Sequence, residues 1–188
     1  MTTSQRYTPG AATGARVHKD GEKWTLVLVR ELKHPPAKVW TALTDPAHLR
    51  EWAPFDSDRS LASVGTATLT TVGAPKPHVT EAHIKRADAP KLLEFDWNGQ
   101  EIRWELEPIG STGTRLTLWH NINRNYIAMG AAGWHIGLDV LDRLLAGNPI
   151  GRTTGPDAMQ LDGFQRLMVE YAAQLGVQPP SWSAGAGG

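Results

Sequence analysis

Between Arg30 and Trp52 the chain has to leave a strand, start a helix, stop it and start another. Trp24-Thr-Leu-Val-Leu-Val-Arg-Glu-Leu32 carries the leucines and β-branched residues of a strand. Leu26 and Leu28 fall on one face, Val27 and Val29 on the other. Pro35-Pro36 ends it. Proline is tolerated in a first helical turn, where the N–H it lacks would have no partner. The helix predicted from there to about Leu43 sets Val39, Trp40 and Leu43 on one side. Asp45-Pro46 then reads as an N-cap with proline at the first helical position. It opens a second short helix that carries Leu49 and Trp52 inward.

Antiparallel strands account for most of the rest. Asp20-Gly21, between Ala15–Lys19 and Glu22–Glu31, predicts a hairpin onto the first long strand. Thr66–Val72 and Val79–Ala87 are strand-like runs broken by proline-bearing stretches. Lys91–Trp97 and Gln100–Pro108 flank Asn98-Gly99, the strongest two-residue hairpin signal. Alternation turns Glu101, Arg103, Glu105 and Glu107 outward, and Ile102, Trp104 and Leu106 inward. In Thr114–His120, Leu116, Leu118 and His120 share a face.

Ala131–Ala146 is the one long amphipathic helix, with Trp134, Leu138, Leu141 and Leu145 as its apolar stripe and Gly147 as its C-cap. Asp139 and Arg143 are expected as an i,i+4 pair on its solvent side, and His135 at the stripe's edge or in solvent. Residues 148–158 read as a loop and Leu161–Leu175 as a further helix. The expected organisation is a disordered tail over 1–12, a single domain over 13–176 and a disordered tail over 177–188.

Four stretches carry a resemblance to a known family. They are Pro-Pro-Ala-Lys-Val-Trp-Thr-Ala-Leu-Thr-Asp-Pro (35–46), Leu-Leu-Glu-Phe-Asp-Trp (92–97), Leu-Thr-Leu-Trp-His (116–120) and Gly-Trp-His (133–135). In order and spacing the chain resembles the START-like (SRPBCC) superfamily, in its Hsp90-ATPase-activator-homologue (AHSA1-like) branch, over residues 14–175. The resemblance implies an α+β helix-grip fold (START/Bet v 1-like), a curved antiparallel sheet wrapped around a long C-terminal helix. The pattern of elements leads to the same place: such a sheet has one apolar face, and one long amphipathic helix covers it.

Composition narrows the function. Lys+Arg and Asp+Glu balance at 19 each, which leaves no electrostatic case for nucleic acid or an anionic membrane. The absence of cysteine excludes disulfides, thiol catalysis and cysteine-ligated metals. Met1–Arg16 lacks the apolar core of a signal peptide, and no apolar run approaches the roughly 20 residues that span a bilayer, so a cytoplasmic protein is expected. There is no Gly-x-Ser-x-Gly, no His-Glu-x-x-His and no phosphate-cradling Gly-rich loop. Histidines 18, 34, 48, 78, 83, 120 and 135 form no close ligand pair, and no metal or cofactor is expected.

Eight tryptophans against three phenylalanines and three tyrosines suit a wide core or the lining of a cavity. The fold that the resemblance implies leaves such a cavity between sheet and helix, and the expected ligand is a small hydrophobic or aromatic molecule. Trp97, Trp104, Leu118, His120, Trp134 and Leu138 are the candidate lining residues, with Trp52 and Phe55 as a gate. His120 ends an inward-facing alternation, and in a binding or catalytic role it should border the cavity and contact Trp134 or the segment Asn121–Ala131. An enzyme of the same fold (a cyclase, aldol-type catalyst or hydrolase) would use His120 with a nearby acid. Stimulation of an Hsp90-type ATPase is the third reading, which the family name suggests. Self-association into a homodimer stays open.

Overall fold

The computed structural model describes residues 7–73 and 75–179. β1 (Ala15–Asp20) and β2 (Lys23–Leu32) form the first hairpin, followed by α1 (Pro36–Thr44) and α2 (Pro46–Trp52). Six further strands run as β3 (Phe55–Ser57), β4 (Gly65–Thr71), β5 (His78–Asp88), β6 (Leu92–Trp97), β7 (Gln100–Ile109) and β8 (Gly113–Asn121). After a 3-10 turn at Arg124–Tyr126 come α3 (Ile127–Leu145), α4 (Pro156–Met159) and α5 (Phe164–Leu175).

The strands make one curled antiparallel sheet in the order β1-β2-β8-β7-β6-β5-β4-β3. The chain therefore folds as the expected α+β helix grip. Local chemistry sets the joints. Asp45 caps α2 by accepting from the Ala47 N–H at 3.1 Å, with Pro46 behind it. Asn98 and Gly99 both take positive φ, 52° and 75°, the backbone a type I′ hairpin needs. Past α3, Gly147 (φ 80°) donates to Leu144 O and Asn148 to Arg143 O, a Schellman closure of the helix.

β7 and β8 hold the predicted register. Ile102 lies opposite His120, Trp104 opposite Leu118 and Leu106 opposite Leu116, all buried on the inner face. Burial of each large apolar side chain contributes about 1.5–3 kcal/mol.

Three expectations are corrected. The first tail ends sooner than residue 12. Tyr7 and Ala12 are buried, Arg166 donates to Pro9 O at 2.6 Å, and Gln174 donates to Ala12 O at 2.7 Å. Residues 7–14 are thus a strap across α5. At the other end Val177 is buried and its N–H donates to Ala172 O. The parts of the two expected tails at 1–6 and 180–188 lie outside the described residues.

Second, α3 has no open solvent side over its middle, because α5 and the strap cover what the sheet does not. Asp139 does not pair with Arg143. It accepts from Arg30 Nη1 at 2.5 Å and from the Tyr7 hydroxyl, while Arg143 lies over the Tyr7 ring at 5.1 Å. Third, His135 is 3% exposed, with Nδ1 2.6 Å from the Tyr171 hydroxyl and Nε2 3.4 Å from Asp139 Oδ2. Burial alone would raise the Asp139 carboxyl. Hydrogen bonds from His135, Tyr7 and Arg30 and the Arg30 charge outweigh it and hold the group down at about 2. Burial, then Asp139, raises the Tyr7 hydroxyl above its ordinary range.

Candidate ligand cavity

A cavity of about 310 Å³ lies between α3, the β6–β8 end of the sheet and the segment around α4. Trp97 and Gln100 reach it from the β6–β7 hairpin and His120 from β8. α3 contributes Gly130, Gly133, Trp134 and Gly137, positions one and two turns apart on a single helix face. The glycines leave the room: a Cβ built on Gly133 or Gly137 meets nothing within 4 Å. Thr154, Gly155, Ala158 and Met159 close the opposite side, with Phe164 and Trp52 behind them. Tyr126 lines the cavity and is still 58% exposed, which puts it at the mouth.

The α4 segment is held there by Arg152, whose Nη2 donates to Leu49 O at 2.8 Å and to Asp56 Oδ1 at 2.6 Å. Gly155 helps by close approach. Its φ is 55°, and a Cβ there would meet Gly73 O at 3.2 Å.

Of the candidate residues, Trp52, Trp97, His120 and Trp134 line this space, whereas Phe55, Trp104, Leu118 and Leu138 are buried behind it. Trp104 stacks edge-on against Trp134 at 5.5 Å and against Trp52 at 6.2 Å, so it supports the wall and does not form it. The gate is corrected too. Trp52 is buried with its indole N–H donating to Ala42 O at 2.8 Å, and Phe55 packs on Trp97 at 5.3 Å. Sequence reasoning missed Gln100, the three glycines and the α4 segment. The i, i+3, i+7 spacing of Gly130, Gly133 and Gly137 beside Trp134 was the one signal available.

His120 is 3% exposed and both its ring nitrogens are engaged. Trp134 Nε1 donates to His120 Nδ1 at 2.9 Å. An indole can only donate, so Nδ1 must be the unprotonated nitrogen and Nε2 carries the hydrogen. Nε2–H then donates to Gln100 Oε1 at 2.8 Å. Neither partner is an acid. Burial pushes the imidazole down to about 4, so it stays neutral at physiological pH.

That depression predicts a pH dependence with a definite sign. The unfolded histidine binds its proton near pH 6.5 and the folded one only near 4, so stability is fully present above about 6.5. As pH falls from 6.5 to 4 the unfolded chain gains a proton that the folded chain refuses, which costs up to about 3 kcal/mol. Denaturant unfolding at pH 7, 5.5 and 4.5 should show a steeper loss for wild type than for His120→Asn. Equal slopes would mean that the imidazole titrates normally.

A curled antiparallel sheet gripping a C-terminal helix over an apolar cavity defines the helix-grip class. Within it, the family model described as Activator of Hsp90 ATPase homolog 1-like protein matches residues 33–146, and the chain belongs to that family. Solved structures agree on the fold. EF2215 of Enterococcus faecalis, a conserved protein of unknown function, superposes with a TM-score of 0.64 at 17% identity, over 85% of this chain and 89% of its own. CalU16 of Micromonospora echinospora gives 0.60 at 23%, over 89% and 98%. An AHSA1-like protein of Aeromonas hydrophila gives 0.52 at 19%, over 64% and 92%. Comparison with curated proteins gives no match. Among the described residues no helix is long and apolar enough to cross a membrane.

Proposed function

We propose that this protein binds a small hydrophobic or aromatic molecule in the cavity between α3 and the β6–β8 end of the sheet, without catalysing a reaction on it. The observation that carries this is the room itself: about 310 Å³, opened by glycines on α3 and walled by tryptophans. Concave, mostly apolar sites with a few fixed polar groups are the usual form of small-molecule sites. The state of His120 supports binding over chemistry. Its one lone pair accepts from Trp134, its one N–H donates to Gln100, and its low basicity makes it a poor general base near neutral pH. Stimulation of an Hsp90-type ATPase rests on the family's description alone, and an ATPase assay with the cognate Hsp90 tests it.

Fluorene, a flat hydrocarbon, is a suitable probe, titrated by quenching of tryptophan fluorescence. Gly137→Leu should abolish its binding by filling the space above α3. Stability should hold or rise slightly, because glycine in a helix interior costs about 1 kcal/mol relative to good helix formers. Unchanged fluorene affinity in a folded Gly137→Leu protein would rule this cavity out as the site.

A further inference from the structure

The hydrogen-bond chain through His120 has a direction and ends on Gln100, which borders the cavity on one side and a polar groove with Glu22, Lys23 and Asn123 on the other. Trp134 can only donate, His120 therefore accepts at Nδ1 and donates at Nε2, and Gln100 must present its oxygen to His120. The Gln100 amide nitrogen is left facing away from the imidazole, and among the described residues it has no hydrogen-bond partner. The other N–H groups of the aromatic wall are spoken for. Trp97 Nε1 donates to Thr71 Oγ1 at 3.0 Å, Trp52 Nε1 to Ala42 O and Trp134 Nε1 to His120. The remaining polar side chains of the lining are the hydroxyls of Tyr126 and Thr154, which donate or accept equally well. No Asp, Glu, Lys or Arg lines the cavity, so a charged ligand would lose its hydration without gaining a counter-charge.

We infer that the ligand is an uncharged flat molecule bearing a hydrogen-bond acceptor, a ketone, quinone or lactone oxygen, which receives the Gln100 amide N–H. The inference rests on the reading of this cavity as a ligand site and adds the chemistry that the site selects. Gln100 is the specificity-determining residue. Its orientation is set by Trp134 two links away, through a histidine locked in a single tautomer. A ligand that offers only a donor would meet a donor.

A matched series tests this: fluorene, 9-fluorenone, 9-fluorenol and fluorene-9-carboxylate, titrated at pH 8 into wild type and Gln100→Glu. Glutamate keeps an oxygen for His120 and exchanges the amide nitrogen for a second acceptor. In wild type the ketone should bind about three- to ten-fold tighter than the hydrocarbon, the range of one neutral hydrogen bond, and the carboxylate weakest of all. In Gln100→Glu the ketone should lose its advantage and the alcohol, which unlike the ketone can also donate, should overtake it. Equal wild-type affinities for hydrocarbon and ketone would overturn the inference while leaving the cavity as a binding site. So would a ketone preference that survives Gln100→Glu, or tightest binding by the carboxylate. If neither fluorene nor fluorenone binds wild type, the ligand-site reading falls and takes this one with it.

Discussion

Replacing Trp134 with alanine should lower the free energy of unfolding by about 3–5 kcal/mol. The indole is 6% exposed and makes edge-to-face contacts with Trp104, Trp97 and His120. Truncation removes those contacts and widens a space that is already open, so the site cannot collapse to recover them. It also strips Nδ1 of His120 of its donor, which unlocks the tautomer. Urea unfolding measures the loss, and parallel titration with 9-fluorenone should show the ketone preference weakened. A loss below about 1 kcal/mol would mean that the indole is a lining group alone, without a packing role.

The second large effect lies on the other side of α3. Asp139→Ala should cost about 3–5 kcal/mol, because it leaves a guanidinium without its carboxylate in a site largely closed to water. Arg30 and Asp139 side chains are only 17% and 20% exposed, and the Tyr7 hydroxyl and His135 converge on the same carboxylate. Segment 7–13 should then become the first point of attack in limited proteolysis. Fluorene binding should persist under conditions where the variant is folded, since none of these four residues lines the cavity. A variant as stable as wild type would show that the strap is held by its backbone contacts to α5 alone.

How far these features could be read in advance depended on whether their cause was local. Asn98-Gly99 and Asp45-Pro46 act through their own backbone, and both folded as expected. The alternation of Ile102, Trp104 and Leu106 assigned a face, because a strand's side chains have a period of two. It could not separate packed wall from open cavity on that face. That difference arises where α3 presents glycine in place of leucine, so Trp104 and Leu118 lie behind Trp134 while Trp97 and His120 border the space. The Tyr7–Arg30–His135–Asp139–Tyr171 cluster was illegible for another reason. Its members come from the strap, β2, α3 and α5, and apart from the i,i+4 step from His135 to Asp139 no periodicity links them. The α4 segment gave no warning either, since glycine- and proline-rich sequence has no hydrophobic rhythm, and Arg152 holds it through contacts distant in sequence.

The strap also bears on how the chain is made. The Gln174–Ala12 hydrogen bond joins residues 162 apart, and β2, an early strand, finds a neighbour in β8 only after most of the chain exists. Ribosomes add roughly 5–20 residues per second, so the strap is made on the order of ten to thirty seconds before its partner helix. For the first part of that interval, until β8 and α3 are made, the β8-facing edge of β2 is unpaired and Tyr7 has no Asp139 to meet. Closing the sheet at β2–β8 and docking the strap on α5 are therefore successive events, the second waiting about fifty residues longer than the first.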